Sequence, residues 1–456
     1  MPTSSEKHDV VVVGGGFAGV TAARDLGKAG YSVILLEARD RLGGRTYYRE
    51  FAGTDQKIEM GGTWLAGDND AIRDIYEEVR RYDIPLSTSP QPHSAAHFFG
   101  GRRTDGLLPV PPEELMEFER GLHAVSEAAH RIEASFPLGS RALDLDIPCD
   151  DWLRALELPR ATSEVFNVFV ELYFGCPATD VSALHVLGQI AALGYSGLAM
   201  FLVLDEKFAN GTSSLIDAII DDSGAEVRLS TPVARVEQDR SGVTLTTKAG
   251  EKVSGAACVI ATPLNCWDDI EFAPGLSEAK RVVGKQRHAG RAHKSWALVR
   301  NLPNEYFLGI GMVPGLRWVS TEFVLPEGSL MCGFAHVTAP RAMDPLDLRQ
   351  VEAAIRAYAP DAEVVAVDSH DWDADMYANG TYTALRPGWL TLYGLQMRAP
   401  EGRLAFATSD IAEGTSLGVM SGAIQSGRTA ARHVDGILHH QGAKLEQPSA
   451  VPQSAA

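Results

Sequence analysis

Hydrophobic residues near the N-terminus follow a pattern that predicts two short buried strands joined by a helix. A continuous apolar run, Val10 to Val13, has the length of a buried strand and ends at a glycine-rich turn. An alanine-rich stretch of helical character follows, and a second apolar run, Ser32 to Leu36, ends at Glu37. This order of strand, glycine turn, helix and strand is typical of a βαβ unit with a parallel sheet.

The rest of the chain alternates between helix-rich and strand-rich stretches. Helices are predicted over 112–136 and 152–173, and strands dominate from 292 to about 395 with one helix over 347–358. A long amphipathic helix is predicted after residue 419, with apolar residues on one face. Further predicted elements are a helix from 211 through 220 and strands over 225–237, 243–247, 257–261 and 403–410.

The turn after the first strand has the sequence GGGFAG, which carries the spacing of a dinucleotide-binding fingerprint. Gly14 suits a tight turn, Gly16 lets the backbone approach a pyrophosphate, and Gly19 lets the helix pack closely on the strand. Ala18 lies inside the motif, at the start of a helix whose unpaired N–H groups attract phosphate. Glu37 can accept hydrogen bonds from both ribose hydroxyls, which disfavours NADP. A glycine turn without a ligand is the alternative, and the motif alone does not distinguish NAD from FAD.

Two further glycine-rich segments favour FAD. Over residues 39–46 two glycines lie between arginines, so flexible backbone and guanidinium donors are available for a second pass along a long diphosphate cofactor. Residues 59–64 supply another glycine pair beside an aromatic residue. With these segments the chain resembles the flavin-containing amine oxidase family, the monoamine oxidase fold group, and the resemblance implies FAD. The cofactor contacts expected here are Arg39, Gly44, Arg45, Gly62, Thr63 and Trp64.

The resemblance implies an α/β (α+β) fold, with a Rossmann-like FAD-binding domain built from discontinuous segments and a substrate-binding domain of mixed sheet and helices. In this family the backbone near Val233 would meet the adenine, and Asp410 would contact the ribityl–diphosphate part. Gly418 and Val419 would begin a helix whose N-terminus faces the pyrimidine side of the flavin. The expected ranges are 1–85, 205–290 and 395–440 for the FAD domain, 86–204 and 291–394 for the substrate domain, and 441–456 for a disordered tail.

Lys294, Trp372 and Tyr382 are the residues to which the resemblance assigns catalytic roles. Spacing alone would make Lys294 a solvated strand-edge lysine and Trp372 a core aromatic residue. Family members carry a lysine that holds a water against flavin N5, a tryptophan beside the flavin ring, and an aromatic cage of which Tyr382 is one wall. Thr381 stands where covalent members have the flavin-linking cysteine, so we expect non-covalent FAD. Val419 stands where the second cage aromatic is expected, which favours a substrate other than a simple arylalkylamine.

The implied reaction is hydride transfer from an amine to flavin N5, giving an imine that hydrolyses to a carbonyl compound and an amine. Several motifs, among them GGGFAG and DSGAEVRLSTPV, are similar to the bacterial nicotine oxidoreductase and pseudooxynicotine amine oxidase branch. The resemblance therefore implies a small-molecule amine substrate, such as a nicotine-pathway or other secondary amine. Oxygen or an electron-acceptor protein would reoxidise the flavin. A flavin desaturase or porphyrinogen-type oxidase, and a non-catalytic FAD-fold binding module, remain alternatives.

Composition excludes several classes of partner. A formal net charge of −18 and an isoelectric point of about 5.2 oppose binding to nucleic acid or anionic membranes. The five cysteines are scattered and lack metal-ligand spacing, so we expect reduced thiols and no metal site. Neither a signal peptide nor a transmembrane run is visible, which favours a cytoplasmic enzyme. A homodimer is the oligomeric state that we consider for this protein.

Overall fold

In the computed structural model, the described part of the chain folds into two large β-sheets, two small sheets and a set of helices. The structure describes residues 7–106, 108–132, 142–201, 206–337 and 343–439. The strands of these residues are β1 (Lys7–Val13), β2 (Val33–Leu36), β3 (Tyr48–Glu50), β4 (Lys57–Glu59), β5 (Trp64–Leu65), β6 (Leu86–Thr88), β7 (Ser94–Phe99), β8 (Arg102–Asp105), β9 (Glu206–Phe208), β10 (Glu226–Arg228), β11 (Val233–Gln238), β12 (Val243–Thr247), β13 (Lys252–Ile260), β14 (Glu271–Ala273), β15 (Ala292–Arg300), β16 (Phe307–Gly311), β17 (Trp318–Leu325), β18 (Gly328–His336), β19 (Glu363–Ser369) and β20 (Leu404–Phe406).

Helices pack on both large sheets. The helices of the described residues are α1 (Phe17–Lys28), α2 (Arg73–Arg81), α3 (Leu115–His130), α4 (Cys149–Arg154), α5 (Arg160–Phe174), α6 (Ala183–Ala192), α7 (Ser213–Asp221), α8 (Glu278–Gln286), α9 (Leu348–Arg356), α10 (Trp389–Tyr393) and α11 (Met420–His439).

The eight-stranded sheet contains the predicted βαβ unit. Its order is β10-β2-β1-β13-β12-β11-β14, with β20 paired to β13. β1 runs parallel to β2 and β13, and Val10 to Val13 pair in register with β2, so these apolar runs are buried on both faces. α11 packs closely on α1, because Gly427 has no side chain to keep it from the Ala18 carbonyl. The sequence-based assignment of a Rossmann-like α/β fold is therefore confirmed.

The seven-stranded sheet, in the order β19-β15-β18-β17-β16-β7-β8, faces the first across a cavity. Only β7 and β16 pair in parallel; the other neighbouring pairs are antiparallel. All its strands lie within the ranges assigned to the substrate domain. The predicted domain boundaries stay a prediction, because sheet membership does not show which segments fold independently.

Some helices differ from the sequence-based expectation. The single helix expected over 152–173 is two, α4 and α5, because the chain turns at Glu157, with φ of 50°, and Pro159 cannot continue a helix. The helix expected over 112–136 begins as a 3₁₀ turn at Pro112–Glu114 and continues as α3; its last predicted residues and the tail 441–456 lie outside the described residues. The strand expected over 403–410 is shorter, because a 3₁₀ turn, Ser409–Ile411, follows β20.

The described residues lack both a membrane-spanning helix and a metal-binding cluster. None of their helices combines the length and the apolar character needed to cross a bilayer. Their histidine, cysteine and acidic side chains form no group that could hold a metal ion.

Candidate active site

A cavity of about 1100 Å³ separates the two large sheets and opens at the carboxyl ends of β1 and β2. This edge is where open parallel sheets bind dinucleotides. The predicted site residues that line it are Gly14, Gly16, Ala18, Glu37, Arg39, Gly44, Arg45, Gly62, Thr63, Trp64, Val233, Lys294, Trp372, Tyr382, Gly418 and Val419. Gly19 and Asp410 lie behind the cavity wall.

The glycine turn brings backbone, not side chains, to the cavity. Gly14 has φ of +107°, and a Cβ there would lie 2.7 Å from the Ala261 carbonyl oxygen. A Cβ at Gly19 would lie 1.9 Å from the Gly14 carbonyl oxygen, so only glycine lets α1 approach the turn this closely. Gly16 faces Gly44 of the second glycine segment, 3.2 Å from where a Cβ on Gly44 would be. The two segments therefore form one cradle with the shape that a diphosphate needs.

Glu37 and Arg39 lie next to each other at the end of β2. Glu37 Oε2 accepts a hydrogen bond from Gly15 N at 2.6 Å, and its Oε1 accepts one from Arg39 N at 2.9 Å. Arg39 Nη2 donates to Asp375 Oδ1 at 2.8 Å. The Arg39 guanidinium therefore binds the Asp375 carboxylate. The sequence predicted Arg39 as a cofactor contact but did not predict this partner.

The other two arginines of this segment also bind protein groups. Arg41 donates to the carbonyl oxygens of Leu42 at 3.0 Å and Thr46 at 2.9 Å, so it shapes its own loop and is not a phosphate donor. Arg45 lines the cavity and donates to the Thr381 carbonyl oxygen at 2.8 Å. It therefore ties the glycine cradle to the segment before Tyr382.

Asp410 is not among the residues that line the cavity, so its expected contact with the ribityl–diphosphate part stays a prediction. The carboxylate is fully buried and accepts hydrogen bonds from Leu264 N at 2.9 Å and from the Thr383 hydroxyl, while Arg45 Nη1 lies 2.8 Å from Oδ1. Burial is the largest single effect and would raise the pKa of Asp410. The charges of Arg45 and His288 and the hydrogen bonds from Arg45 and Thr383 together outweigh burial and hold the pKa well below its usual range. Asp410 therefore influences the cavity by holding the Arg45 side chain in place.

Replacing Asp410 with asparagine is expected to lower the free energy of unfolding by about 3 kcal/mol at pH 7, because Arg45 loses its buried counter-ion. The loss should be constant from pH 7 to about 5 and shrink below about pH 4, where protonation of the unfolded carboxyl offsets the folded ion pair. Urea unfolding across this pH range measures it. Asp144→Asn, in an exposed pair with Arg131, is the control and should change little. A pH-independent difference would contradict the role of the Asp410 charge.

Lys294 lies on β15 with its ammonium inside the protein. Nζ donates to the Gly61 carbonyl oxygen at 2.9 Å and to the Thr63 hydroxyl. Only 3% of the residue is exposed, and burial lowers the pKa of Lys294 below its ordinary value. Nζ also lies 4.7 Å from the centre of the Trp64 ring. The lysine is therefore held at the cavity wall by the Gly61–Thr63 turn and is not a solvated strand-edge residue.

Aromatic rings continue the wall beside Lys294. Lys294 pairs across the sheet with Phe334, which pairs with Trp318, and these side chains share one face of the sheet. Trp64 completes the cluster, with its ring centre 5.9 Å from Trp318 and 5.7 Å from Phe334. Sequence reasoning missed Trp318 and Phe334, although each lies in a strand whose alternate residues could have been assigned to one face.

Tyr382 and Trp372 form another part of the wall. The Tyr382 hydroxyl donates to the Leu172 carbonyl oxygen at 2.6 Å, and Trp372 Nε1 donates to the Met60 carbonyl oxygen at 2.9 Å. These bonds fix the orientation of both rings. Gly418 has φ of +85° and precedes Val419, which lines the cavity directly before α11. Val233 also lines the cavity, two residues after Thr231, whose N–H donates to the Glu37 carbonyl oxygen at 2.8 Å.

Carboxylates are scarce in the aromatic part of the cavity. Among the described lining residues they are Glu37, Asp269 and Glu322. Glu322 is the one near the aromatic cluster, and its Oε2 lies 2.6 Å from Lys207 Nζ. Lys207 and Glu322 therefore neutralise each other beside the aromatic wall.

Comparison with known proteins gives the family. A sequence profile described as flavin containing amine oxidoreductase matches residues 17–435. (S)-6-hydroxynicotine oxidase of Paenarthrobacter nicotinovorans is 34% identical over 435 residues, which are 95% of this chain and 100% of that protein. Nicotine dehydrogenase of Pseudomonas putida is 32% identical over 94% of this chain and 89% of its own.

A solved structure of a putrescine oxidase triple mutant has the same fold, with a TM-score of 0.85 at 26% identity over 94% of this chain and 99% of that one. The resemblance inferred from the glycine motifs is confirmed, and flavin-dependent amine oxidation is favoured over the desaturase and binding-module alternatives. The chain belongs to the flavin-containing amine oxidoreductase family.

Proposed function

We propose that this protein binds FAD non-covalently and oxidises a cyclic or secondary amine that carries an aromatic ring, of the nicotine type. The observation that carries the substrate class is the aromatic wall of Trp64, Trp318 and Phe334, which extends from Lys294 across the sheet. The names of the relatives point the same way, since they act on nicotine or its 6-hydroxy derivative.

The chemistry of the reaction belongs to the cofactor. When bound, a flavin accepts a hydride equivalent from the carbon next to an amine nitrogen, and the imine that results hydrolyses. The protein positions the substrate against the cofactor. Tyr382, oriented by its bond to Leu172, forms one side of the reaction chamber and excludes water. Val419, at the position of the expected second cage aromatic, has a smaller side chain and leaves room for a five-membered ring.

The charge distribution disfavours a diamine. A second ammonium would need a carboxylate partner in the aromatic part of the cavity, and Glu322, the described carboxylate there, is already paired with Lys207. The reacting nitrogen must also be neutral, because a protonated amine lacks the lone pair that expels hydride. Activity should therefore rise as pH passes the pKa of the bound amine.

Lys294 serves the second half of the cycle in this proposal. Its Nζ is held by Gly61 and Thr63, so it can keep a water or oxygen molecule in place beside the cofactor. A buried cation there stabilises negative charge that develops on reduced oxygen. Oxygen is accordingly the acceptor that the site favours, and an electron-acceptor protein is the second candidate, because a relative is named a dehydrogenase.

Replacing Val419 with tyrosine tests the substrate class, because it restores the second wall of an aromatic cage. We expect kcat/KM to fall about tenfold for nicotine-type amines and to rise about tenfold for benzylamine, since the pocket becomes a narrow slot. Anaerobic flavin reduction by nicotine, pseudooxynicotine, putrescine and benzylamine measures both. Val419→Ile is the matched control and should keep the wild-type order. A wild-type enzyme that prefers putrescine would contradict the proposal.

The non-covalent attachment of FAD rests on Thr381, whose hydroxyl is not the thiol that covalent attachment uses. Among the described residues the cysteine that lines the cavity is Cys266, and burial raises the pKa of its thiol to about 12, so it stays protonated. Acid precipitation should therefore leave all yellow colour in the supernatant. Flavin that sediments with the denatured chain would refute this. A cytoplasmic location and a homodimer stay predictions for fractionation and sedimentation measurements.

A further inference from the structure

Residues 374–379 lie where the chain, after leaving the seven-stranded sheet, reaches the part of the cavity near Arg39 and Glu37. They follow β19, and three of their side chains, those of Met376, Tyr377 and Asn379, line the cavity. Glu37 is the predicted ribose acceptor and Val233 the predicted neighbour of the adenine. This segment therefore closes the end of the cavity where the adenosine half of the cofactor is expected.

A largely buried ion pair between Asp375 and Arg39 holds this segment against the end of β2. Asp375 Oδ1 accepts from Arg39 Nη2 at 2.8 Å, and the side chains are 11% and 13% exposed respectively. Asp375 Oδ2 lies 3.0 Å from His370 Nε2, and Oδ1 also accepts from Tyr377 N at 2.9 Å. The carboxylate thus joins the segment to β2 and also shapes the turn that presents Tyr377.

Tyr377 presents its ring between two cationic side chains. Arg39 Cζ lies 5.6 Å and Lys248 Nζ 5.2 Å from the ring centre, and all three residues line the cavity. An aromatic ring that lines the same cavity as the buried Val233 suits contact with a flat purine ring. Through the hydrogen bond from Arg39 N to Glu37 Oε1, the ribose acceptor and this ring belong to one connected set of contacts.

We propose that residues 374–379 form a clasp over the adenosine half of FAD, and that Asp375 is the positioning residue that keeps the clasp closed through Arg39. This inference rests on the proposed FAD cofactor. In a protein without a covalent flavin bond, the clasp controls how fast the cofactor leaves. Asp375 is suited to this task because, although burial would raise its pKa, the hydrogen bonds from His370 and Arg39 outweigh burial and hold the pKa well below its usual range.

Asp375→Asn tests the clasp by its effect on two flavins. FAD release from diluted holoenzyme, followed by flavin fluorescence, should become about 10 to 100 times faster, because removing one partner of a desolvated ion pair acts on dissociation. FMN has no adenosine, so its affinity for the apoprotein should not change. Asp373→Asn is the matched control: it breaks an ion pair with Arg291 just before the clasp and should leave FAD release unchanged.

Two results would overturn the proposal: FAD release at the wild-type rate, or an equal weakening of FAD and FMN binding. Tyr377→Leu is the second variant. It keeps the Arg39–Asp375 pair but removes the ring, and it should also weaken FAD binding without affecting FMN. The outcome is separable from the proposed function, because the Asp375→Asn protein saturated with FAD should still be reduced by an amine. If no amine reduces the bound flavin, the proposed function is refuted, and the FAD release rates still test the clasp.

Discussion

Reoxidation of the reduced flavin by oxygen should become about 100 times slower when Lys294 is replaced with methionine. Methionine is close to lysine in length and fits an apolar wall, so the change removes the charge while filling the space. The lost charge is the one that lies 2.9 Å from the Gly61 carbonyl oxygen and over the Trp64 ring at 4.7 Å. Reduction by the amine should change much less, because the lysine is assigned to the oxygen step. Stopped-flow spectroscopy separates the two half-reactions.

The control for this experiment is Lys252→Met, which removes an exposed lysine from β13 far from the cavity and should leave both half-reactions unchanged. A Lys294→Met enzyme that reacts with oxygen at the wild-type rate would show that the lysine has a structural role only. If oxygen fails to reoxidise even the wild-type flavin at a useful rate, the electron-acceptor protein becomes the candidate, and Lys294 loses its proposed task.

Gly19→Ala should yield a protein with little or no bound flavin. The new Cβ would lie 1.9 Å from the Gly14 carbonyl oxygen, so α1 must move away from the turn that cradles the pyrophosphate. Overpacking that forces such a backbone shift typically costs about 1–3 kcal/mol of stability. Flavin absorbance per chain and thermal unfolding of the apoprotein measure the two effects.

Gly436→Ala is the matched control, since this glycine also lies in a helix, α11, and an added Cβ meets no described atom within 4 Å. It should stabilise the protein by roughly 0.5–1 kcal/mol, because alanine favours a helix more than glycine does. Equal behaviour of the two variants would mean that close packing at Gly19 is not what fixes the cradle.

Local pattern was enough to predict the cofactor-binding half of the fold. Val10 to Val13 form β1, the glycine turn follows, and Glu37 lies directly after β2, because apolar strand runs and glycine turns are encoded over a few neighbouring residues. The same reasoning failed at Glu157 and Pro159, where the apolar spacing of a helix continued across a break.

Contacts between residues that lie far apart in the chain could not be predicted from the sequence. Arg39 and Asp375 are 336 residues apart, and their ion pair exists only because the segment after β19 crosses the cavity. Asp410 likewise meets its partners Thr383 and Arg45 only through the fold. Trp318 and Phe334 meet Lys294 through strand register, which the hydrophobic pattern of one strand does not determine.

Anaerobic mixing of the purified holoenzyme with nicotine-type amines tests the proposed function most directly. One equivalent of a nicotine-type amine should bleach the visible flavin band within the mixing experiment, and the product should be the imine or its hydrolysis product. Putrescine should bleach it far more slowly, because Glu322 is already paired with Lys207. A bound yellow flavin that neither these amines nor benzylamine can bleach would contradict amine oxidation at this site.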